Sequence, residues 1–208
     1  MLHTNRILIL APHTDDGELG CGGSVAKYVA AGKEVSYVAF STCAQSLPKD
    51  FSPDTLALEC KAATSVLGVH KLFILDFEVR MFSNYRQEIL NELIRLRGLI
   101  EPETVLIPAR NDVHQDHQVV YAEAMRAFKS CNLFGYELPW NNLDFRPNYF
   151  EVLDEVHINA KQEALRKYKS QAHRPYMRED FCKSLSIVRG VQCGTTYAEA
   201  YETYKFHD

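Results

Sequence analysis

The most constraining feature of the sequence is an alternation of short apolar runs with segments of helical periodicity through the first two thirds of the chain. The first run, Arg6–Ala11, is bounded by Pro12 and has the continuous apolar character of a strand buried on both faces of a parallel sheet. A helix predicted over Leu19–Ala31 ends at Gly32, and a second strand follows over Glu34–Ser41. Because β-α-β crossovers are almost always right-handed, these two strands are expected to be parallel.

The same alternation continues toward the middle of the chain. Ser52 and Pro53 are typical of an N-cap and a first helical position, and Gly68 is predicted to close the helix that they open. Ser83 or Asn84 is predicted to cap the next helix, which carries an apolar stripe at helical spacing. That stripe consists of Ile89, Leu93, Leu96 and Ile100. Further strands are predicted over 71–76, 104–107 and 133–137, and a further helix over 117–129.

Beyond residue 137 the alternation loosens. Residues 138–148 are rich in Pro, Asn and aromatic side chains and predict an irregular loop, a candidate substrate lid or homo-oligomer contact. An antiparallel edge strand is predicted over 149–157, helices over 159–170 and 179–190, and a last short strand over 198–204. The sequence therefore predicts one α/β domain over residues 1–208, with a mostly parallel sheet.

The composition argues against several classes of protein. The chain has 23 Lys and Arg against 27 Asp and Glu, a net charge of -4, and no basic run, so no nucleic-acid partner is expected. No apolar stretch approaches the roughly 18 residues of a membrane helix, and the first apolar run is too short for a signal-peptide core. The 6 cysteines include no C-x-x-C pair, which argues against a disulfide framework and a zinc knuckle. We therefore expect a cytoplasmic protein without a membrane span.

Two loops concentrate the polar chemistry. One follows the first strand and reads PHTDDGE over 12–18, and the other follows the fourth strand and reads PARNDVHQDH over 108–117. Either loop alone is equally consistent with a simple helix cap or a solvated turn. Both loops, however, lie at the carboxyl ends of strands, where open parallel sheets bind ligands. Their side chains would crowd one pocket, in which repulsion and desolvation favour a bound cation. They are His13, Asp15, Asp16, His114, Asp116 and His117.

The types of side chain in these loops suggest the chemistry. Two histidines and one carboxylate are typical of a catalytic zinc site, which keeps a position open for water. Zinc held in this way lowers the pKa of water toward about 7 and polarises a carbonyl, the two tasks of amide hydrolysis. A neighbouring carboxylate can serve as general base. The adjacent Asp15 and Asp16 can supply one ligand and one base.

The two motifs resemble those of the PIG-L/LmbE-like deacetylases, A-H-P-D-D-x-E-x-G and H-x-D-H. The matching stretches are PHTDDGELGCGG over Pro12–Gly23 and HQDH over His114–His117. Tyr168–Gln171 and Tyr197–Tyr201 match looser C-terminal features of the family, so the resemblance covers essentially the whole chain.

The resemblance implies a Rossmann-like three-layer fold and a zinc-dependent hydrolase. Such an enzyme removes an N-acyl group, typically acetyl, from an amino sugar such as N-acetylglucosamine or from an amino-sugar conjugate. His13, Asp16 and His117 are implied as ligands of one zinc ion, with another divalent metal such as Fe²⁺ as an alternative. The identity of the sugar acceptor is left open.

The resemblance also implies roles for the other loop residues. Asp15 is implied as the general base toward the attacking water, and His114 as the group that stabilises the oxyanion or assists the leaving amine. Asp116 is implied to orient His114 through a hydrogen bond. Thr14 stands where the family usually has Pro, and Gly17 where some members have an acidic residue, but neither change removes a ligand or the base.

Three residues outside the motifs are weaker candidates for substrate binding. Arg80, after the third strand, could reach a substrate phosphate or hydroxyl, although a surface salt bridge is as consistent, and Arg110 has the same standing. Trp140, the sole tryptophan, could stack on a sugar ring or pack its own loop. The remaining histidines lack clustered partners and are interpreted as surface residues: His3, His70, His157, His173 and His207.

Three other functions compete with deacetylation. Non-haem iron oxygenases also use two histidines and one carboxylate, but they usually have β-barrel scaffolds. A metal phosphoesterase would normally need a second metal ion and further carboxylates. The GCGG stretch over Gly20–Gly23 suggests a nucleotide-binding module, but Asp15 and Asp16 would repel a phosphate there.

Overall fold

The computed structural model describes residues 4–207, and the seven strands in this part of the chain form one sheet. The strands are β1 (Arg6–Ala11), β2 (Glu34–Ala39), β3 (Lys71–Ile74), β4 (Thr104–Pro108), β5 (Asn132–Tyr136), β6 (Tyr149–Leu153) and β7 (Tyr197–Lys205). The α-helices are α1 (Asp16–Ala30), α2 (Thr55–Val66), α3 (Arg86–Ile100), α4 (Gln115–Ala127), α5 (Glu155–Leu165) and α6 (Glu179–Cys193). The interpretation of His3 as a surface residue lies outside the described residues.

The order of the strands is β3-β2-β1-β4-β5-β7-β6. The first five strands are parallel, whereas β7 runs antiparallel to both β5 and β6. The mostly parallel sheet and the antiparallel edge strand β6 are therefore confirmed. The chain builds β2 and β3 on one side of β1 and then crosses to place β4 on the other side. This change of direction creates a switch point between the ends of β1 and β4, the usual ligand position in such sheets.

The sheet buries both of its faces, which explains the continuous apolar runs in its strands. Ile7 and Ile9 of β1 pack in a core with residues of α1, α2 and α5, while Leu8 and Leu10 pack on the opposite face with residues of α3 and α4. The predicted apolar stripe of α3 is buried as expected. The arrangement is the expected three-layer α/β fold. Within residues 4–207, no helix combines the length and the apolar character that crossing a bilayer requires.

Two helices begin later than predicted, because the polar residues ahead of them form turns instead of caps. The Ser52 hydroxyl donates to Asp54 at 2.5 Å, and α2 begins at Thr55 without a side-chain cap. Ser83 and Asn84 belong to a short 3-10 helix, so α3 begins after Tyr85.

Helix α5 begins four residues earlier than predicted. Asp154 and His157 form a capping box, in which each side chain bonds to the backbone of the other residue. Strand β6 consequently ends at Leu153, and Asn159 lies inside the helix rather than at its cap.

Helix α1 begins at Asp16, three residues before the predicted start, and is bent at Cys21, where φ is -143° and ψ is 18°. The bend exposes backbone N–H groups at the start of the second helical segment. The buried carboxylate of Glu199 accepts from Gly23 N at 3.0 Å and from Ser24 N at 2.7 Å. Buried Lys161 neutralises this carboxylate at 2.7 Å. The first turn of α1 therefore runs in a different direction from the remainder of the helix.

Close packing requires glycine at position 20. A Cβ atom at Gly20 would lie 2.3 Å from the ring of Tyr136, whose hydroxyl is held by Leu10 O at 2.9 Å. We expect Gly20→Ala to lower the free energy of unfolding by about 1–3 kcal/mol, because the ring and the helix must separate. Chemical denaturation of the purified variant measures this change.

Gly98→Ala is the matched control. Gly98 is also helical, but it is exposed and a Cβ atom there meets nothing within 4 Å. Its replacement should raise stability by about 0.5–1 kcal/mol through helix propensity. Equal effects of the two substitutions would contradict the packing argument.

Candidate metal centre

The two polar loops meet at the switch point of the sheet. β1 and β4 are hydrogen-bonded neighbours, with Ile9 opposite Leu106, so their carboxyl ends open side by side. The loop after β1 leads into the first turn of α1, and the loop after β4 leads into α4. His13 and His117, 104 positions apart in the sequence, approach to 3.2 Å.

Three ligand-type atoms form a nearly equilateral triangle. His13 Nδ1 lies 3.2 Å from Asp16 Oδ2, His117 Nε2 lies 3.2 Å from the same oxygen, and the two nitrogens are 3.2 Å apart. A tetrahedral zinc ion with bonds of about 2.0–2.1 Å separates its ligand atoms by about 3.3 Å. The two nitrogens and one oxygen therefore have the chemistry and the spacing of an open three-ligand metal site.

A buried carboxylate holds the far side of each imidazole in this triangle. His13 Nε2–H donates to Asp116 Oδ2 at 3.1 Å, and His117 Nδ1–H donates to Asp112 Oδ2 at 2.7 Å. These bonds set the tautomers, so that His13 Nδ1 and His117 Nε2 face each other as lone pairs. Two lone pairs this close are stable only with a cation between them.

The charges around His117 also favour a positive charge inside the triangle. Burial by itself lowers the pKa of this imidazole, but Asp16 and Asp112 outweigh burial and raise the pKa to about 10. Burial likewise opposes ionisation of Asp16, yet the neighbouring His117 and His13 hold its pKa below the usual range. Without a metal ion, a proton shared in this triangle supplies the missing charge.

Asp116 contacts His114 through its backbone N–H, which donates to His114 Nδ1 at 3.2 Å, and not through its carboxylate. Its carboxylate holds His13 instead, and it also accepts from the backbone N–H groups of Arg80 at 2.6 Å and Phe82 at 3.4 Å. Arg80 has a φ of 70°, an uncommon conformation for a residue with a side chain. Asp116 thus ties the loop after β3 to the loop after β1.

His114 occupies the N-cap of α4. Its Nδ1 accepts from the backbone N–H of Asp116 at 3.2 Å, which leaves Nε2–H free as a donor. Burial and the nearby His117 and His13 lower the pKa of His114 to about 4. Ligand-type atoms of His13, His114 and His117 also lie within 4.8 Å of one another. This all-imidazole group is a looser alternative to the 3.2 Å triangle that includes Asp16.

Asp15 occupies the N-cap position of α1, but its side chain makes no capping bond. The simple helix-cap interpretation therefore does not explain this residue. Burial and the charge of Asp16 raise the pKa of the Asp15 carboxyl to about 6. Asp15 also lines the same cavity as His13 and His114.

The cavity beside the triangle has a volume of about 230 Å³. Of the weaker candidates, Arg80 and Trp140 line this cavity, whereas Arg110 is exposed and lines a separate surface depression. Trp140 stacks on Tyr176 with ring centroids 4.1 Å apart and planes 14° apart. One face of the indole is thus occupied by the protein itself.

Asp112, Arg174 and Tyr176 belong to the site but were not predicted from the sequence. Asp112 had a recoverable signal, because it stands five positions before His117 in a loop already singled out. Arg174 and Tyr176 line the cavity but belong to no motif, although they follow closely after Tyr168–Gln171. Only the tertiary structure brings them to the metal centre.

The glycines of the GCGG stretch serve packing inside the protein. A Cβ atom at Gly20 would meet Tyr136, and one at Gly23 would lie 2.6 Å from the side chain of Leu153. These close approaches account for the glycines without a bound phosphate.

Glu18 anchors the loop that carries the ligands. It is fully buried, and it contacts the hydroxyls of Tyr37 and Tyr168, both of which also contact the carbonyl oxygen of Thr14. These four contacts have only two phenolic hydrogens between them, and a proton on Glu18 supplies a third. Burial raises the pKa of Glu18 to about 8, in agreement with a neutral carboxyl.

We expect Glu18→Gln to change the free energy of unfolding by less than about 1 kcal/mol, because an amide also offers hydrogens to this cluster. Glu18→Ala should cost about 1–3 kcal/mol or more, since buried hydroxyls lose their partner. Thermal and chemical unfolding of both variants would test this. A glutamine variant as unstable as the alanine variant would rule out the neutral carboxyl.

The fold and the site together define a class: an α/β protein with a candidate three-ligand metal centre at the switch point of its sheet. The PIG-L family, described as GlcNAc-PI de-N-acetylase, matches residues 8–128, which is more than half of the chain. The chain therefore belongs to the PIG-L family.

Individual relatives agree with this assignment. The uncharacterized deacetylase YaiS of Escherichia coli K12 is 30% identical over 170 residues, covering 79% of this chain and 90% of the relative. Diacetylchitobiose deacetylase of Thermococcus kodakarensis is 25% identical over 218 residues, and the match covers 93% of this chain and 81% of the relative. The crystal structure of the conserved protein TT1542 from Thermus thermophilus superposes with a TM-score of 0.80 at 26% identity, covering 96% of this chain and 94% of that chain.

Asp112 gives a direct test of the metal centre. Asp112→Asn should weaken zinc binding by roughly 10–100-fold, because His117 loses the carboxylate that fixes its tautomer. Competition with a chromophoric chelator measures the affinity. Asp144→Asn is the control, since Asp144 is exposed and pairs with Arg146 outside the cavity. Equal zinc affinity of the Asp112 variant and the parent protein would contradict the assignment.

Proposed function

We propose that the chain is a zinc-dependent deacetylase that removes an N-acetyl group from an amino sugar or an amino-sugar conjugate. The observation that carries this proposal is the triangle of His13, Asp16 and His117 beside an uncommitted Asp15. Membership of the PIG-L family and the relatives named as deacetylases support it. Zinc is preferred because two imidazoles and one carboxylate in an open set match its catalytic sites.

Each polar residue has a task that follows from its contacts. His13, Asp16 and His117 would hold the ion, and Asp112 and Asp116 would orient the two imidazoles. A bound zinc ion supplies Lewis acidity, which lowers the pKa of water and polarises the acyl carbonyl. The remaining steps are assigned to side chains of the cavity.

Asp15 and His114 divide the proton chemistry in this proposal. Asp15 accepts a proton from the attacking water, since its carboxylate is not engaged as a helix cap. His114 donates its Nε2–H as a hydrogen bond to the developing oxyanion, because its Nδ1 is held by Asp116 N. Asp15 then returns the proton to the departing amine. This order keeps His114 neutral throughout.

The whole described chain contributes to one working unit in this proposal. Strands β6 and β7 follow the family match but join the same sheet, and α6 packs on β7. The six cysteines all lie within residues 4–207 and are free thiols, which favours a reducing location such as the cytoplasm.

The competing functions have less support. Residues 4–207 contain one group of clustered metal-binding side chains, whereas a two-metal phosphoesterase needs more. An iron oxygenase shares the ligand types but not this parallel α/β sheet. The packing of the GCGG glycines removes the main argument for a nucleotide-binding module.

Two substitutions separate the base from the ligands. Asp15→Asn should lower kcat by at least roughly 100-fold while leaving zinc affinity within a few-fold, because Asp15 is outside the ligand triangle. His13→Ala should weaken zinc binding itself, since it removes one of three ligands. Amine release from N-acetylated sugars and metal content after dialysis measure the two effects.

Removal and return of the metal complete this test. Chelator treatment should abolish amine release, and one equivalent of zinc per chain should restore it. Near-full activity of the Asp15 variant would overturn its role as base, and unchanged activity of metal-free protein would overturn the proposed function.

A further inference from the structure

We propose that the substrate carries an anionic group, a phosphate or a carboxylate, which the guanidinium of Arg174 binds in the wall of the metal cavity. This inference rests on the proposed function for the amide that reacts, and it adds the class of the conjugate. Two observations support it: the Arg174 side chain lacks a hydrogen-bond partner among the described residues, and two arginines line the cavity.

Arg174 is a half-buried cation without a partner in the described part of the chain. Its Nε atom is buried and makes no hydrogen bond, although the side chain lines the cavity together with His13 and Asp15. Other arginines of the chain pair with carboxylates, for example Arg86 with Glu123 and Arg189 with Glu137. A buried donor left unpaired is unfavourable, so a ligand that accepts a hydrogen bond from it is bound more tightly.

The backbone presents Arg174 in a fixed position. It lies between two short 3-10 helices, Lys169–Gln171 and Pro175–Met177, and its N–H and C=O bond to Gln171 O at 2.9 Å and to Met177 N at 3.0 Å. Pro175 restricts the preceding residue to extended backbone, and Arg174 has a ψ of 132°. The stacking of Tyr176 on Trp140 holds the segment against the cavity. The guanidinium is therefore presented with little conformational freedom to lose.

The charges of the cavity wall favour an anion. The arginines that line it are Arg80 and Arg174. Within residues 4–207, the Arg80 guanidinium bonds only to the Ser46 hydroxyl, at 3.1 Å. The carboxylates among the described lining residues are Asp15 and Asp16, both assigned to the metal chemistry. A neutral sugar would leave the guanidiniums unmatched, whereas a phosphate or carboxylate can form bidentate, charge-assisted bonds.

Paired substrates test this inference in the zinc-loaded protein. N-acetylglucosamine is compared with its 1-phosphate, its 6-phosphate and N-acetylmuramic acid, the last of which carries a carboxylate. We expect kcat/KM to be at least roughly 10-fold higher for one of the charged sugars than for N-acetylglucosamine, because a charge-assisted bidentate pair adds binding energy. Arg174→Gln should remove this preference through a higher KM, with little change for the neutral sugar.

Arg178→Gln is the matched control. Arg178 lies four residues further along the same segment, but it is exposed, pairs with Asp180 and does not line the cavity. Its replacement should leave the preference for the charged sugar unchanged. If Arg174→Gln lowers kcat/KM equally for charged and neutral sugars, Arg174 serves the site in general and the inference is wrong.

A binding measurement separates this inference from the proposed function. Glucosamine, glucosamine 1-phosphate and glucosamine 6-phosphate carry no acyl group, and fluorescence of the sole tryptophan, Trp140 in the cavity wall, reports their binding. Tighter binding of a phosphate form, lost in Arg174→Gln, supports the inference even if no sugar releases an amine, a result that would defeat the deacetylase proposal alone. If neither phosphate binds more tightly than glucosamine, and N-acetylmuramic acid binds no more tightly than N-acetylglucosamine, the inference fails.

Discussion

The site depends on two imidazole lone pairs and one carboxylate oxygen that face one another at 3.2 Å. Such an arrangement is unfavourable unless a cation occupies it, and the protein enforces it from behind with Asp112 and Asp116. Because both carboxylates can only accept hydrogen bonds, each imidazole must direct its unprotonated nitrogen inward. The ligand geometry is therefore set by groups that would not touch the ion themselves.

Several buried polar groups hold the residues of this arrangement in place. Glu199 and Lys161 stabilise the bend of α1, so that its first turn can point Asp16 at the centre. Glu18 joins that turn to tyrosines of two other segments. Buried polar groups of this kind contribute little net stability on their own, but they specify one orientation. The positions of the metal-binding side chains thus depend on contacts in several remote segments of the fold.

The chain divides its tasks between two regions. The ligand triangle and its supporting carboxylates lie within residues 8–128, the part that matches the PIG-L family. Trp140, Arg174 and Tyr176 of the cavity wall lie beyond that match. In our proposals, the shared region therefore carries the hydrolytic chemistry, and the later region carries the choice of substrate. Trp140 stacks on Tyr176 and so helps to hold this wall in place. Only its other face is left for a sugar ring.

Much of the fold could be predicted because it depends on local patterns. Continuous apolar runs identified β1 and β4, and the α/β alternation predicted a mostly parallel sheet, so both polar loops were expected at the carboxyl ends of strands. The direct pairing of β1 with β4 was seen only in the structure. Helix starts were less predictable, since Ser52 and Asn84 favour turns as readily as caps. The sequence by itself determined the layered architecture and the set of ligand-type residues. Only the tertiary structure decided that the Asp116 carboxylate holds His13 while its backbone N–H holds His114, that Arg110 lies outside the cavity and that Arg174 lies inside it. The reason is that side-chain partners depend on distances between segments that are remote in the chain, and no local pattern encodes those distances.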